Sequence, residues 1–88
     1  MRPSVARVVH YQSYGTPKGE YPSVPRAAII TAADPVGSHA FSEADYRDER
    51  NFVVSLCVLN PEGMFFNRAV PFDAEGKPGT WRWPPRVE

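Results

Sequence analysis

NFVVSLCVLN, residues 51–60, decides the fold together with the segment that follows it, PEGMFFNRAVPF, residues 61–72. In residues 51–60 apolar side chains occupy nearly every position. Successive side chains of a strand point to opposite faces of the sheet, so both faces of this segment are largely apolar. That pattern is typical of a strand covered on both sides, and it predicts that residues 51–60 form the central strand.

A tight turn follows this strand. Asn60, Pro61 and Gly63 occupy the first, second and fourth positions that a type I turn favours. The chain then reverses into a second apolar run, so residues 51–72 are predicted to form an antiparallel hairpin. Because Pro71 has no N–H to donate to a ladder, we expect the second strand to end by about Val70.

Shorter apolar runs predict three more strands. They contain valine, isoleucine and aromatic residues, which favour a pleated sheet, and they span residues 5–14, 26–32 and 80–83. Ten prolines and six glycines interrupt the chain between such runs. Residues 15–25, GTPKGEYPSVP, are predicted to form a long irregular loop or a loosely paired ribbon.

Residues 34–50 differ in character, since they are polar, acidic and poor in β-branched residues. Ser42 and Asp45 have the spacing of a capping box, which would start a short helix reaching about Arg50. A helix of two turns needs packing to persist. A flexible loop over residues 42–50 is the equal alternative.

Five short strands, a long first connection and a tight hairpin between the third and fourth strands predict an all-β fold. The chain has 88 residues, enough for one domain, residues 1–88. We predict a single small SH3-like β-barrel, because closure removes sheet edges that would otherwise promote aggregation. A loose sandwich is the alternative.

Composition limits the classes of function. Ten basic and ten acidic residues give a net charge of zero, whereas nucleic-acid binders usually carry a basic excess. A single cysteine, Cys57, cannot form an internal disulfide, which predicts an intracellular, cytoplasmic protein. The N-terminal residues contain no apolar run of the length of a signal peptide or membrane span.

Reactive side chains do not form a recognisable catalytic or metal-binding motif. Cys57 lies within an apolar strand and is interpreted as a buried structural thiol. His10 and His39 are the two histidines, and neither belongs to a metal-ligand spacing. The carboxylates of residues 45–49 are expected to be solvated, since no pocket is predicted around them. We therefore predict no enzymatic activity, no cofactor and no metal.

Both tryptophans lie close to the C-terminus. Trp81 and Trp83 share a face if they lie on a strand, and Arg82 points to the opposite face. Facing inward, the indoles would close the barrel. Facing outward, they would form an aromatic platform with Tyr11, Tyr14 or Phe66. Burial of at least one indole is favoured.

The segment SYGTPKGEYP, residues 13–22, is the predicted binding loop. Long loops on a small rigid scaffold commonly carry function, and this one combines aromatic area with charge through Tyr14, Lys18, Glu20 and Tyr21. The alternative is a structural loop whose tyrosines plug one end of the barrel.

Four segments carry a resemblance to a known family: RPSVARVVHYQSYGTPKGEYP, RAAIIT, VSLCVLNPEGMFFN and PGTWRWPPRV. Together they resemble small uncharacterised proteins of actinobacteria and their bacteriophages, a family without an established biochemical function. The resemblance implies a phage or prophage context. Pro25 and Arg82 stand where that family usually has a cysteine and a histidine, so chemistry that depends on those two groups could not be shared.

These observations predict a non-enzymatic protein-interaction module of phage or prophage origin, located in the cytoplasm of the bacterial host. It would bind a host or phage protein, or associate with itself. The alternatives are a small-ligand or nucleotide-binding protein and a weak nucleic-acid binder. The candidate binding residues are Tyr11, Tyr14, Lys18, Glu20, Tyr21, Phe66, Trp81, Arg82 and Trp83.

Overall fold

A computed structural model describes residues 1–15, 22–37 and 41–85 of the chain. Its elements, in chain order, are β1 (Val8–Gln12), β2 (Pro25–Pro35), α1 (Glu43–Arg47), a 3-10 helix (Glu49–Asn51), β3 (Phe52–Asn60), β4 (Gly63–Pro71) and β5 (Trp81–Arg82). The strands form one antiparallel sheet with the order β4-β3-β2-β1-β5. The predicted all-β class is confirmed for this part of the chain.

The predicted hairpin is present between β3 and β4. Asn60 pairs with Gly63 across the turn, and Val53 pairs with Pro71 at the other end of the ladder. β4 therefore extends one position beyond the predicted end at Val70. Pro71 is tolerated because it occupies the terminal position of an edge strand, where a missing N–H removes little pairing.

β3 is an interior strand but not the central one. It pairs with β2 on one side and β4 on the other. Its inner-face residues are buried, whereas Val53, Ser55 and Leu59 on the outer face keep part of their surface exposed, so the expected cover on both faces is complete on one face only. β2 occupies the middle of the sheet, because β5 pairs with the free side of β1 at His10 and Tyr11. The prediction that residues 51–60 form the central strand is wrong in this respect. An apolar pattern indicates that a strand has neighbours on both sides, but it does not show how many strands lie on each side.

The boundaries of three other strands also differ from the prediction. The predicted strand at residues 5–14 begins only at Val8, because Ala6 has a φ of 75° and the chain turns before β1. β2 continues past its predicted end to Pro35. The predicted strand at 80–83 is reduced to Trp81–Arg82.

Two irregularities bend the sheet at the level of Ser55. β2 carries an extra residue, Thr31, between its pairings with Leu56 and Ser55. β4 shifts register at the same level, where Ala69 adopts a φ of 53°. A β-bulge bends its strand and increases the local twist. Two such irregularities at one level curve the sheet around an inner face.

The curvature brings the two edge strands together at one point. Phe72, directly after β4, forms an isolated parallel bridge with Trp81 of β5. The Asp73 N–H donates to the Trp81 carbonyl at 3.0 Å. No ladder joins β4 to β5 along their length in the described part of the chain, so the sheet is not closed into a barrel there.

The core covers the inner face of the sheet. Its buried members are Val9, Tyr11, Ala28, Ile30, Val54, Leu56, Val58, Val70 and Trp81. Trp81 has no exposed surface, and its ring lies edge-on to Phe72 at 4.9 Å and to Trp83 at 5.2 Å between centroids. The inward-facing alternative therefore describes Trp81. Burial of one indole contributes about 2–3 kcal/mol to stability.

The helix alternative is confirmed for the segment before β3. Asp45 N–H donates to Ser42 Oγ at 3.2 Å, and Ser42 N–H donates to Asp45 Oδ2 at 3.0 Å, which completes the predicted capping box. α1 itself buries no residue. Tyr46 packs near Phe52 of β3, with ring centroids 6.4 Å apart, and Arg2 lies over the Tyr46 ring. These aromatic contacts hold the short helix against the sheet.

Candidate functional site

The candidate binding residues do not converge on one surface. Tyr11 and Tyr14 line a groove on the inner side of the sheet, and Phe66 lies on the outer face of β4. Trp81 lies in the core, where no partner can reach it in this conformation. Lys18, Glu20 and Tyr21 lie outside the described residues, so the predicted binding loop stays a prediction.

The groove lies between the end of β1 and the turn that joins β3 to β4. It consists of two adjoining cavities of about 790 and 210 Å³ that share Ser13, Arg26, Asn60 and Phe65. The walls are largely apolar or aromatic, and their further described residues include Tyr11, Tyr14, Pro22, Val58, Pro61 and Asn67. A cavity with apolar walls and a few convergent polar groups is the usual form of a binding site.

Arg26 brings an unpaired donor into this groove. Its Nε is fully buried and has no hydrogen-bond partner among the described residues. No described carboxylate forms an ion pair with its guanidinium. Buried donors almost always have a partner, and leaving one unpaired costs about 1–3 kcal/mol. The guanidinium therefore has no described counter-charge, and an anion in the groove that Arg26 lines would meet it unpaired.

Tyr11 adds a hydroxyl to the same groove. Burial raises the pKa of its phenol, and the nearby Tyr14 raises the pKa further. The group therefore stays protonated at neutral pH and keeps its ability to donate a hydrogen bond. Tyr11 pairs with Arg26 across the β1–β2 ladder, so the phenol and the guanidinium are neighbours on the inner face.

Among the described residues, a run of consecutive exposed apolar side chains lies on β4. Met64, Phe65 and Phe66 are consecutive, and their exposed fractions are 61%, 62% and 72%. Large apolar side chains are usually exposed singly rather than in a run. The β4 apolar run, defined as residues 64–66, was missed by sequence reasoning except for Phe66. The signal in the sequence is the succession of three large apolar residues. A strand buried on one face requires an apolar residue only at every second position.

An apolar row crosses the outer face of the sheet from Phe66. Phe66 pairs with Cys57, Cys57 with Ile29, and Ile29 with Val8. Cys57 is buried as predicted, with its Sγ 3.8 Å from Met64 Sδ. Val8 at the far end is 55% exposed, so the row is open to solvent at both ends.

Two arginines near β5 are occupied by contacts within the chain. The Arg7 guanidinium lies over the Trp83 ring at 5.3 Å from its centroid. Arg82 Nη1 donates to Gln12 Oε1 at 3.2 Å. Trp83 is half-buried under this cation–π contact. Arg82 and Trp83 therefore hold β5 in place, and part of each side chain remains accessible.

The acidic residues around α1 have structural partners. Asp48 accepts from Arg50 Nη2 at 2.7 Å, and this partner lowers the pKa of the Asp48 carboxyl to about 2. Glu49 accepts from the N-terminal amine at 2.8 Å. Within the described ranges, no group of three or more His, Cys, Asp or Glu side chains is placed to hold a metal ion.

Comparisons with protein-family models, with curated proteins and with solved structures found no match to this chain. Within residues 1–15, 22–37 and 41–85, no helix has the length and apolar character required to cross a bilayer. In the described part of the chain, the groove and the β4 apolar run have the features of binding surfaces.

Proposed function

We propose that this protein is a non-enzymatic protein-interaction module whose docking element is the free edge of β4, and that this edge pairs with β4 of a second copy of the chain. The observation that carries the proposal is the β4 apolar run on an edge strand. In the described part of the chain, β4 forms a ladder only with β3. An unpaired edge offers backbone N–H and C=O groups to another strand.

The run favours an edge contact over a face contact. Successive residues of a strand point to opposite faces, so Met64 and Phe66 lie on the outer face and Phe65 on the inner face. A partner stacked on the outer face would leave Phe65 exposed. A strand added beside β4 contacts all three side chains at once, because its own side chains lie on both faces.

The sequence GMFFN, residues 63–67, is self-complementary in such a pairing. In an antiparallel ladder centred on Phe65, this residue meets its own copy on the inner face. On the outer face Met64 then lies opposite Phe66 of the second copy, and this pairing occurs twice. Methionine sulfur contacts aromatic rings favourably, and aromatic cross-strand pairs stabilise sheets.

Charge does not oppose this association. Residues 63–67 contain no charged side chain, and the whole chain has a net charge of zero. Natural edge strands are commonly protected by charged residues or proline. In β4 such residues come only at Arg68 and Pro71, beyond the apolar run.

The exposed area predicts a weak dimer. Phe65 and Phe66 together leave on the order of 250 Å² exposed, whereas a stable interface buries about 800 Å² per partner. We therefore expect a dissociation constant in the micromolar to millimolar range. The alternative partner at the same edge is a strand of a host or phage protein, as the family resemblance implies.

We also propose that the curved sheet is the wall of a partly open SH3-like barrel. Three features support this: the strand order β4-β3-β2-β1-β5, the irregularities at the level of Ser55, and the bridge between Phe72 and Trp81. In such an arrangement the opening between β4 and β5 leaves the β4 edge accessible.

The non-enzymatic assignment is supported by how the reactive groups are used. Cys57 is buried, Asp45 caps α1, and Asp48 pairs with Arg50. In these positions the thiol is shielded from solvent and the two carboxylates are engaged in structural contacts, so none of the three is placed to act as a nucleophile or an acid–base group. Interaction through a strand edge requires none of them.

Sedimentation equilibrium of matched lysine variants tests the proposal. Phe65→Lys and Phe66→Lys each place a charge in the β4 pairing, one on each face, and both should abolish the dimer. Val8→Lys is the control, because Val8 lies on the same outer apolar row but on β1. It should leave the dimer intact.

Other outcomes reject the proposal. Loss of the dimer in Val8→Lys and Phe66→Lys but not in Phe65→Lys would mean that outer faces stack. A protein that stays monomeric at all concentrations would exclude the second copy as partner. Circular dichroism of each variant shows whether the fold has survived the substitution.

A further inference from the structure

The groove on the inner side of the sheet has a feature that pairing at the β4 edge does not use. Arg26 lines both of its cavities, and the buried Nε of its guanidinium has no described partner. We infer that the groove is a second binding site, and that its ligand is a small molecule with one carboxylate on an apolar or aromatic body. The carboxylate would bind Arg26.

The unpaired guanidinium calls for an anionic acceptor. A guanidinium presents its N–H groups in a planar fork that matches a carboxylate with two parallel hydrogen bonds. Arg26 differs in this respect from Arg50 and Arg82, which pair with Asp48 and Gln12. The Arg26 side chain is half-buried on β2, so part of its surface is already withdrawn from water before any ligand arrives.

The balance of charge favours a monoanion. Among the described lining residues Arg26 is the single basic side chain, and Glu62 stands at the rim of the larger cavity. A phosphate dianion is usually held by several cationic side chains or by a series of backbone N–H groups. One arginine opposed by one carboxylate is suited to a single negative charge.

The walls specify the remainder of the ligand. Phe65 and Tyr14 provide aromatic surface, while Pro22, Pro61 and Val58 provide aliphatic surface. Small-molecule sites typically combine such walls with a small number of polar groups that fix orientation. The cavities of about 790 and 210 Å³ are large enough for a ring with a short acidic chain.

Further polar groups surround the position of the carboxylate. Tyr11 is paired with Arg26 across the β1–β2 ladder, and its protonated hydroxyl can donate a hydrogen bond. Asn60 and Asn67 line the smaller cavity together with Tyr11. Their amides can donate to a carboxylate oxygen or bind a polar substituent on the ligand body.

The test uses 3-phenylpropionate as the probe and its neutral amide, 3-phenylpropanamide, as the matched control. The probe is titrated against the folded protein while NMR signals of the Arg26 Nε–H and of the Asn60 and Asn67 side-chain amides are followed. Saturable shifts with a dissociation constant on the order of 1 mM are expected for the carboxylate. The amide should bind at least about tenfold more weakly, because it lacks the charge.

Two arginine variants assign the site. Arg26→Gln should weaken binding of the probe by about 10- to 100-fold, whereas Arg68→Gln, at an exposed position on β4, should leave it unchanged. Thermal unfolding separates binding from folding. Since the buried Nε has no described partner, Arg26→Gln should keep or raise the melting temperature.

Three results would overturn the inference. Equal binding of the acid and the amide would remove the role of the charge. Unchanged affinity in Arg26→Gln would place the site elsewhere, and tighter binding of inorganic phosphate than of the probe would reject the monoanion class. The test is independent of self-association, since Phe66→Lys should still bind the probe.

Discussion

The phenol of Tyr14 rests directly against the backbone of Gly79. A side chain at Gly79 would have its Cβ inside the space that the Tyr14 hydroxyl occupies, and Gly79 has a φ of 84°. The Gly79 N–H donates to the Gln12 carbonyl at 2.8 Å. The segment that leads into β5 therefore supports the tyrosine that forms one wall of the groove.

This contact predicts that Gly79→Ala is destabilising. The substitution strains the backbone at a positive φ and forces the exposed Tyr14 ring to move aside. We expect a loss of about 1–3 kcal/mol in the free energy of unfolding, most of it from the backbone strain. Gly63→Ala is the control, because a Cβ there would have no heavy atom within 4 Å and the φ is not positive. It should change stability by less than about 0.5 kcal/mol.

Urea unfolding measures both variants. In a Tyr14→Ala background Gly79→Ala should cost less, since the clash is then absent and only the backbone strain remains. Equal costs in the two backgrounds would contradict this, because they would show that the contact between Tyr14 and Gly79 adds nothing to stability.

Truncation of the two tryptophans should have unequal effects. Trp81 is fully buried, so Trp81→Ala is expected to cost about 3–5 kcal/mol and to leave this small protein largely unfolded. Trp83 is half-buried at the edge of the core, and Trp83→Ala should cost less. Unfolding curves measure the difference, and a larger loss from Trp83→Ala would contradict the position of Trp81 in the core.

Ala69→Gly should stabilise the protein. Ala69 has a φ of 53° at the bulge in β4, a conformation that glycine adopts without the steric penalty of a Cβ. We expect a gain of about 0.5–1 kcal/mol. Ala27→Gly, at an exposed strand position of β2, is the control and should destabilise by a similar amount. A loss of stability in Ala69→Gly would exclude the bulge geometry.

The Asp48–Arg50 pair predicts that the stability of the protein falls at acidic pH. Arg50 lowers the pKa of Asp48 from 3.8 to about 2, so the native state favours the ionised carboxyl. The resulting stabilisation is complete above the unfolded-state pKa, and it is lost as the pH falls from about 4 to about 2. The effect on stability is small, because exposed ion pairs contribute little.

An NMR titration of the Asp48 carboxyl carbon checks this directly. Arg50→Gln should raise its midpoint part of the way toward 3.8, because the backbone N–H of residue 50 still donates to the Asp48 carboxylate. Arg47→Gln should not, since Arg47 lies near Glu43 at 3.9 Å. A midpoint that stays near 2 in Arg50→Gln would mean that another group lowers the pKa of Asp48.

The fold was predictable to the extent that it depends on local patterns. Alternation in residues 51–60, the turn at Asn60–Gly63 and the capping pair Ser42–Asp45 each act within a few residues, and each is present in the structure. The order of the interior strands was not predictable in the same way. It depends on β5 pairing with β1, a long-range contact that two residues make.

The surfaces were harder to predict than the fold. Phe66 was selected for its residue type, whereas Met64 and Phe65 matter because β4 lies at the edge of the sheet, which alternation cannot reveal. Arg26 is not among the candidate residues that the sequence indicates. Its importance comes from a missing partner, and that is a property of the folded surroundings rather than of the sequence.

The most direct test of the central claim is an isotope-filtered NMR experiment on a mixture of labelled and unlabelled protein. It detects contacts between two copies while suppressing those within one chain. Pairing at the β4 edge predicts an intermolecular contact between the Met64 methyl group of one copy and the Phe66 ring of the other. Intermolecular contacts confined to Val8 and Ile29, or none at any accessible concentration, would contradict it.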